Sequence, residues 1–305
     1  MARWYEGFFG RLGDEHLTVS KAFRKDLAGK FGIPIDKISV LYDRAVAGKF
    51  RVLTLEEKHQ LYGRTGLEAV FTQEVLVGNV DDDKMHVRAK PTRPALLLTS
   101  TSYTPDEDIG LLITALQKYA IKAYRNAAMP SIRLIVTGAG PLKKQFLKKF
   151  EEFNCNLSYA KAKIEAKWLE IDDYPKMVAA ADLGICMHMS SSNLDLPMKV
   201  VDMFSSRLPC FAFRYPTIGE LVETTENGSS TPNGALFSTS DELAKLLTNQ
   251  FQNGLEAGLE GLEEYRNNLD KFMGETWDDH WQEVLLHSKE RGCLLARGDA
   301  SIIKK

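Results

Sequence analysis

The strongest constraint on this chain is a rhythm: short apolar runs recur between residues 95 and 237, each followed by a segment of helical length. ALLLT (95–99), IRLIVT (132–137), the weaker AKIEA (162–166), LGICM (183–187), PCFAF (209–213) and ALF (235–237) are too continuously apolar for strands with one wet face. Such runs belong to a parallel sheet covered on both sides. The segments between them predict helices over 106–124, 142–153, 173–181, 197–206, 218–223 and 240–249. In the first, Ile109, Leu112, Ile113, Leu116 and Tyr119 share one face, and Ser240 is the expected N-cap of the last. This alternation predicts an α/β, doubly wound domain whose ligands bind beyond the carboxyl ends of the strands.

At one such end the run 183–187 passes through the polar turn Ser190-Ser191-Ser192-Asn193 into the helix opening at Pro197. A polar turn entering a helix N-terminus presents unpaired N–H groups and a positive dipole end, a seat for a phosphate. Lys199 and Asp202, three apart, share a face of that helix. A lysine so near the positive end suits an anion, although from spacing alone a pair with Asp195 or Asp202 on a wet surface accounts for it more simply. Gly138-Ala139-Gly140-Pro141 after the 132–137 run is either a tight turn or a close approach to a ligand, and it lacks the third glycine of a dinucleotide fingerprint. The hydroxyl-rich segment 99–104 follows the first strand, and Asp106, Glu107 and Asp108 suit the first turn of the next helix by their charge. His188 stands alone, with no metal-ligand spacing around it. Trp277 and Trp281 are residues for packing.

Upstream, residues 16–19, 21–31 and 38–42 read as strand, helix (capped by Ser20) and strand, preceded by the aromatic helical segment Trp4, Tyr5, Phe8, Phe9 and Leu12. Two strands are too few for a doubly wound domain, so the chain is expected to open inside one. Residues 43–92 read as irregular apart from a polar helix over 54–62, with an acidic Asp81-Asp82-Asp83 loop followed by Lys84, Arg88 and Lys90. A length of 305 residues corresponds to about two average domains. A net charge of −2 argues against a nucleic-acid surface. Cys155, Cys186, Cys210 and Cys293 show no C-x-x-C spacing, and Cys186 and Cys210, inside apolar strands, fit core thiols in a reducing compartment. Neither a signal peptide nor an apolar run of the ~20 residues needed to span a bilayer is evident, so any membrane contact is expected to be peripheral.

The segments TSTSYTPDEDIGLLITAL, VTGAGPLK, WLEIDDYPKMVAAADLGICMHMS, SSSNLDLPMKVVDMFSSRLPCFAF and IGELVETTENG closely resemble the C-terminal half of the chitobiosyldiphosphodolichol β-1,4-mannosyltransferase family, over about residues 4–290. The resemblance implies a GT-B glycosyltransferase fold with a complete C-terminal Rossmann-like domain and only the end of the N-terminal one. Residues 1–45 would be that N-terminal, acceptor-side remnant, 46–92 a linker with an insertion, 93–275 the nucleotide-sugar domain, and 276–305 a C-terminal helix and tail. It further implies inverting transfer of the first mannose from GDP-mannose to dolichol-linked chitobiose in N-glycan precursor assembly, without metal or other cofactor. The expected place is the cytosolic face of the endoplasmic reticulum membrane, with other glycosyltransferases of the same pathway as partners and no nucleic acid. By similarity Lys199 would neutralise the GDP diphosphate, Asp202 would hold ribose hydroxyls, and Ser191, Ser192, Asn193 and Leu194 would supply backbone N–H donors. Thr101, Ser102 and Gly138 would line the same cleft, and Trp168 and Leu169 would lie near the guanine. The general base on the acceptor hydroxyl is expected from the N-terminal domain, and no residue of this sequence is assigned to it. The alternative is a truncated, non-catalytic paralogue that binds a GDP-sugar or a partner.

Overall fold

A computed structural model describes residues 2–46, 48–77 and 84–290 of the chain. Helix α1 (Ala2–Gly10) leads to strand β1 (His16–Thr18), helix α2 (Lys21–Phe31) and strand β2 (Ile38–Val40), and β1 and β2 pair in parallel. Ser20 caps α2 by accepting the Phe23 N–H. The aromatic side of α1 is open to solvent, with Tyr5, Phe8 and Phe9 about half exposed or more.

The stretch expected to be an irregular connection is ordered. Helix α3 (Leu55–Thr65) starts at a capping box between Thr54 and Glu57, short helix α4 (Glu68–Phe71) follows, and strands β3 (Thr72–Val77) and β4 (Lys84–Ala89) form an antiparallel hairpin. The Asp81-Asp82-Asp83 loop lies outside the described residues. α3 runs past the expected 54–62 helix, because only Leu61 and Tyr62 of it are buried and so narrow a stripe gives weak periodicity. Leu61, Tyr62, Leu67 and Phe71 pack with Leu96, Leu98, Met177, Val178 and Phe204, so this segment covers part of the main sheet.

The remaining elements alternate as expected: β5 (Ala95–Ser100), α5 (Ile109–Arg125), β6 (Ile132–Thr137), α6 (Lys143–Cys155), β7 (Ala162–Ala166), α7 (Tyr174–Ala180), β8 (Leu183–Cys186), α8 (Met198–Ser205), β9 (Cys210–Phe213), β10 (Gly234–Phe237), α9 (Ser240–Phe251), α10 (Leu255–Phe272) and α11 (Trp277–Glu290). The six strands run parallel in the order β10-β9-β8-β5-β6-β7. Side-chain alternation along each strand divides the core into two layers. Leu97, Leu134, Val136, Ile185 and Phe237 face α5, α6 and α9 on one side. Leu96, Leu98, Ile135, Cys186 and Ala212 face α3, α7 and α8 on the other.

Three local expectations change. Thr239, not Ser240, caps α9, because its side chain accepts the Glu242 N–H. The helix expected over 218–223 is a single 3-10 turn, Ile218–Glu220. The acidic residues before α5 precede the helix: Asp108 is its N-cap, and the first turn carries no acid. Cys186 and Cys210 are buried free thiols, with burial pushing Cys186 up to about 11. Trp277 and Trp281 stack on each other at 5.6 Å. Cys293 and the tail from Arg291 lie outside the described residues.

Candidate functional site

The strand order reverses between β5 and β8, where the chain leaves β5 for one side of the sheet and β8 for the other. Such a switch point opens a crevice at the carboxyl ends. Residues 101–108 form one wall and residues 187–197 the other. Their backbones meet across it, through a bridge between Glu107 and His188 and a 3.2 Å bond from Met189 N to Asp106 O. Both walls contain a non-glycine residue at positive φ, Tyr103 at 48° and Asn193 at 57°. Positive φ costs energy in ordinary residues and persists where surrounding contacts over-determine it.

Here those contacts are dense. Ser192 Oγ donates to Asp195 Oδ1 at 2.7 Å, Ser190 Oγ donates to the same oxygen, and Leu194 N donates to Ser192 Oγ at 3.1 Å. Burial alone would raise the Asp195 pKa, but the two serine hydroxyls outweigh it and hold the carboxyl below its ordinary range. His188 lies between two carboxylates, 3.7 Å from Asp106 and 3.5 Å from Asp195. Thr217 Oγ1 and Ser20 Oγ donate to the carbonyls of Asn193 and Leu194. The turn is thereby tied to the N-terminal segment, whose helix α2 presents the Lys21 and Ala22 N–H groups to the Glu220 carboxylate at 2.7 and 2.8 Å.

α8 enters from Pro197 with no side-chain cap, and the Val200 and Val201 N–H groups donate to Pro197 O; the Met198 and Lys199 N–H groups are those that such an end turns toward a ligand. Lys199 stands in this first turn. Its ammonium pairs with neither Asp195 nor Asp202; it donates to Glu107, whose side chain is 2% exposed. Glu107 Oε2 also accepts from Thr101 Oγ1 at 2.5 Å and from Ser102 N at 2.7 Å. Glu107 thus serves the facing wall and not the dipole of α5 that the acidic triplet is expected to complement. No local feature of the sequence sets Glu107 apart from Asp106 and Asp108.

Gly138 and Gly140 are demanded by the fold. A Cβ at Gly138 (φ +130°) would lie 1.9 Å from Thr101 O, and one at Gly140 would lie 1.6 Å from Ser102 O. The two loops are therefore in backbone contact, which places Gly138 beside Thr101 and Ser102. Lys143 Nζ donates to Gly138 O at 3.0 Å and stands 5.8 Å over the Trp168 ring. Trp168 is 66% exposed beyond the end of β7, whereas Leu169 is buried in the core. Asp202 is turned toward α7 and accepts from Tyr174 OH at 3.1 Å. Burial raises its carboxyl to about 6. The structure thus gathers Lys199, Thr101, Ser102, Gly138 and the 191–194 turn around one crevice, with Trp168 at its rim, Asp202 beside α7 and Leu169 beneath the surface. Among the described residues no cluster of His, Cys, Asp and Glu is placed to hold a metal ion, and no helix is long and apolar enough to cross a membrane.

A chemical summary is an anion seat: one lysine, the open end of a helix and a rim of hydroxyls, closed underneath by a buried carboxylate. The family model described as glycosyl transferases group 1 matches residues 93–249. The chain is 35% identical over 297 residues to the chitobiosyldiphosphodolichol beta-mannosyltransferase of Homo sapiens, covering 94% of this chain and 61% of that protein. It is 37% identical over 225 residues to the Candida glabrata protein of the same name, covering 73% and 46%. The chain therefore spans about three fifths or less of the length of these curated relatives. Among solved structures it is similar to the HepE protein of Anabaena in complex with UDP and glucose, at 14% identity and a TM-score of 0.64 over 94% of this chain and 66% of that one. This and similar solved chains are GT-B glycosyltransferases, and the likeness establishes the GT-B type of fold.

Proposed function

This chain belongs to the glycosyl transferases group 1 family, and from that premise we propose that it holds the donor side of a mannosyl transfer from GDP-mannose to dolichol-linked chitobiose. The observation that carries the reading is the seat at the switch point, where Lys199 stands in the uncapped first turn of α8 facing the Thr101-Ser102 segment. The names of the human and Candida glabrata relatives support the dolichol-linked acceptor, and transfer with inversion and without metal is part of the same proposal.

In such a reaction the leaving GDP gains negative charge as the glycosidic bond breaks. A fixed ammonium and the positive end of α8 stabilise that charge where it develops, with no reorganisation needed at the moment of reaction. Free N–H groups of the 191–193 turn add donors to the same phosphates, and the Ser102 hydroxyl lines the opposite wall, while the buried Thr101 hydroxyl is spent on Glu107. Asp202 serves as acceptor for ribose hydroxyls, and the Trp168 face with Lys143 beside it serves the base. Inversion also requires a general base within hydrogen-bond reach of the acceptor hydroxyl, on the face opposite the leaving group. We assign that base to the acceptor-side domain. The reading sets the reaction at the cytosolic face of the endoplasmic reticulum membrane, beside other glycosyltransferases of the pathway.

The test has two arms. Calorimetric titration of the chain with GDP and UDP is expected to show GDP preferred and Lys199→Ala without measurable GDP binding; unchanged affinity in that variant would sink the assignment, and preference for UDP would move the donor. Incubation with GDP-mannose and a synthetic lipid-linked chitobiose then separates an enzyme from a binding module, since sustained transfer by residues 1–305 eliminates the module.

A further inference from the structure

The Lys199 charge is matched in the structure by a group outside the proposed ligand contacts. Glu107 is 3% exposed, and a buried carboxylate at that depth persists only if its oxygens are paired and hydrogen-bonded. Both are fully used. Oε1 accepts from Lys199 Nζ, while Oε2 accepts from Thr101 Oγ1 and Ser102 N. Thr101 Oγ1 in turn accepts from Tyr103 N at 2.9 Å, which extends the network to the residue at positive φ. The Glu107 backbone bridges His188 on the facing wall. Three segments separated in sequence, the Thr101-Tyr103 loop, the start of the 188–197 loop and the first turn of α8, are therefore all fastened to one residue.

We infer that Glu107 is a positioning residue of the donor seat: its carboxylate fixes Lys199 Nζ and the Thr101-Ser102 backbone in the places a nucleoside diphosphate requires. This rests on the donor reading above and deepens it. A carboxylate can do this and an amide cannot, because every neighbour is a donor. A glutamine in its place would aim an N–H either at an ammonium or at Ser102 N–H and Thr101 O–H. An aspartate retains two accepting oxygens but falls short by one carbon.

That difference defines the experiment. The full chain and its Glu107→Asp and Glu107→Gln variants are titrated with GDP by calorimetry and with guanosine by ligand-observed NMR, with melting temperatures recorded for each. The expected order of GDP affinity is wild type, then Glu107→Asp, then Glu107→Gln, with a loss of about tenfold or more for Gln, as befits a misplaced charged hydrogen bond. Guanosine, which carries no phosphate, keeps its affinity within about twofold on the same argument. A residue that merely fills space would behave otherwise: the shorter Asp would be at least as damaging as the isosteric Gln, and guanosine would weaken together with GDP. Either result, or unchanged GDP affinity in Glu107→Gln, overturns the inference. If Glu107→Gln does not fold, pairing it with Lys199→Gln removes the clash of donors and is expected to restore folding without GDP affinity; failure to restore folding overturns the inference too. Absence of GDP binding by the wild type removes the donor reading and this inference with it, an outcome recognisable because it arises before any variant is compared.

Discussion

Asp202→Asn should stabilise the protein while weakening its ligand site. Burial against α7 raises the Asp202 carboxyl from 3.8 to about 6, so above pH 6 the folded chain carries a charge that the unfolded chain holds more cheaply. A shift of about two units corresponds to ~3 kcal/mol at 1.36 kcal/mol per unit. The side chain is only partly buried, and screening by solvent reduces this to about 1–2 kcal/mol. Because the folded pKa is the raised one, Asp202 penalises folding least below its unfolded pKa, and the penalty grows as pH rises from about 4 through about 6. Asparagine removes the charge and can still accept from Tyr174 OH. Thermal melts of the two proteins from pH 4 to 8 are therefore expected to coincide at the acid end and diverge with pH. By pH 7.5 the variant should melt about 2–8 °C higher, at about 2–4 °C per kcal/mol for a chain of this size. Comparing the two proteins at each pH cancels the titration of every other group. A difference independent of pH, or a variant less stable at pH 7.5, would refute the reasoning. GDP affinity is expected to drop about tenfold in the same variant if the carboxylate accepts ribose hydroxyls, and wild-type affinity should decline as pH falls below about 6. Stability gained together with binding lost marks a charge retained for function.

Other perturbations address the architecture. Gly140→Ala sets a methyl group against Ser102 O; the loops must separate, and calorimetry should show GDP affinity lost along with about 1–3 kcal/mol of stability in denaturant titration. Phe71→Ala empties a position 1% exposed at the junction of α4 and β3, with an expected cost of about 3–5 kcal/mol; a cost below about 1 kcal/mol would mean that residues 55–89 do not belong to the sheet's core. Glu220→Ala removes the acceptor of the Lys21 and Ala22 N–H groups and of Tyr42 OH. It should speed hydrogen exchange across residues 16–42 while leaving the six-stranded sheet protected, and a uniform loss of protection would show instead that the two parts unfold together.

The energetics of the seat explain its shape. A lysine near the positive end of a helix and an aspartate at low solvent access are each unfavourable in isolation. The protein accommodates the first by burying Glu107 opposite it and the second by one hydrogen bond from Tyr174. Only the first arrangement neutralises the charge, which is why Asp202 retains a raised pKa.

Much of the sheet was legible in the chain itself, because a strand buried on both faces must be apolar throughout and a helix packed on it must repeat its apolar residues every turn. Those local rules found the six strands to within a residue or two and located the turn before α8. They could not find α3 and the β3–β4 hairpin as part of the core. The contribution of this segment is a narrow stripe, Leu61, Tyr62, Leu67 and Phe71, and its worth depends on residues more than twenty positions away. The partner of Lys199 was hidden for the same reason. Asp195 and Asp202 lie within one helical turn, but the carboxylate that the ammonium meets is 92 residues away in sequence. Which side chain reaches Lys199 depends on the adjacency of β5 and β8 in the sheet, a long-range choice made by the topology. The chain by itself determined the elements, the crevice end and the chemical character of the seat; only the tertiary structure decided which charges face each other there, because electrostatic pairing depends on distance in space and local pattern records distance along the chain.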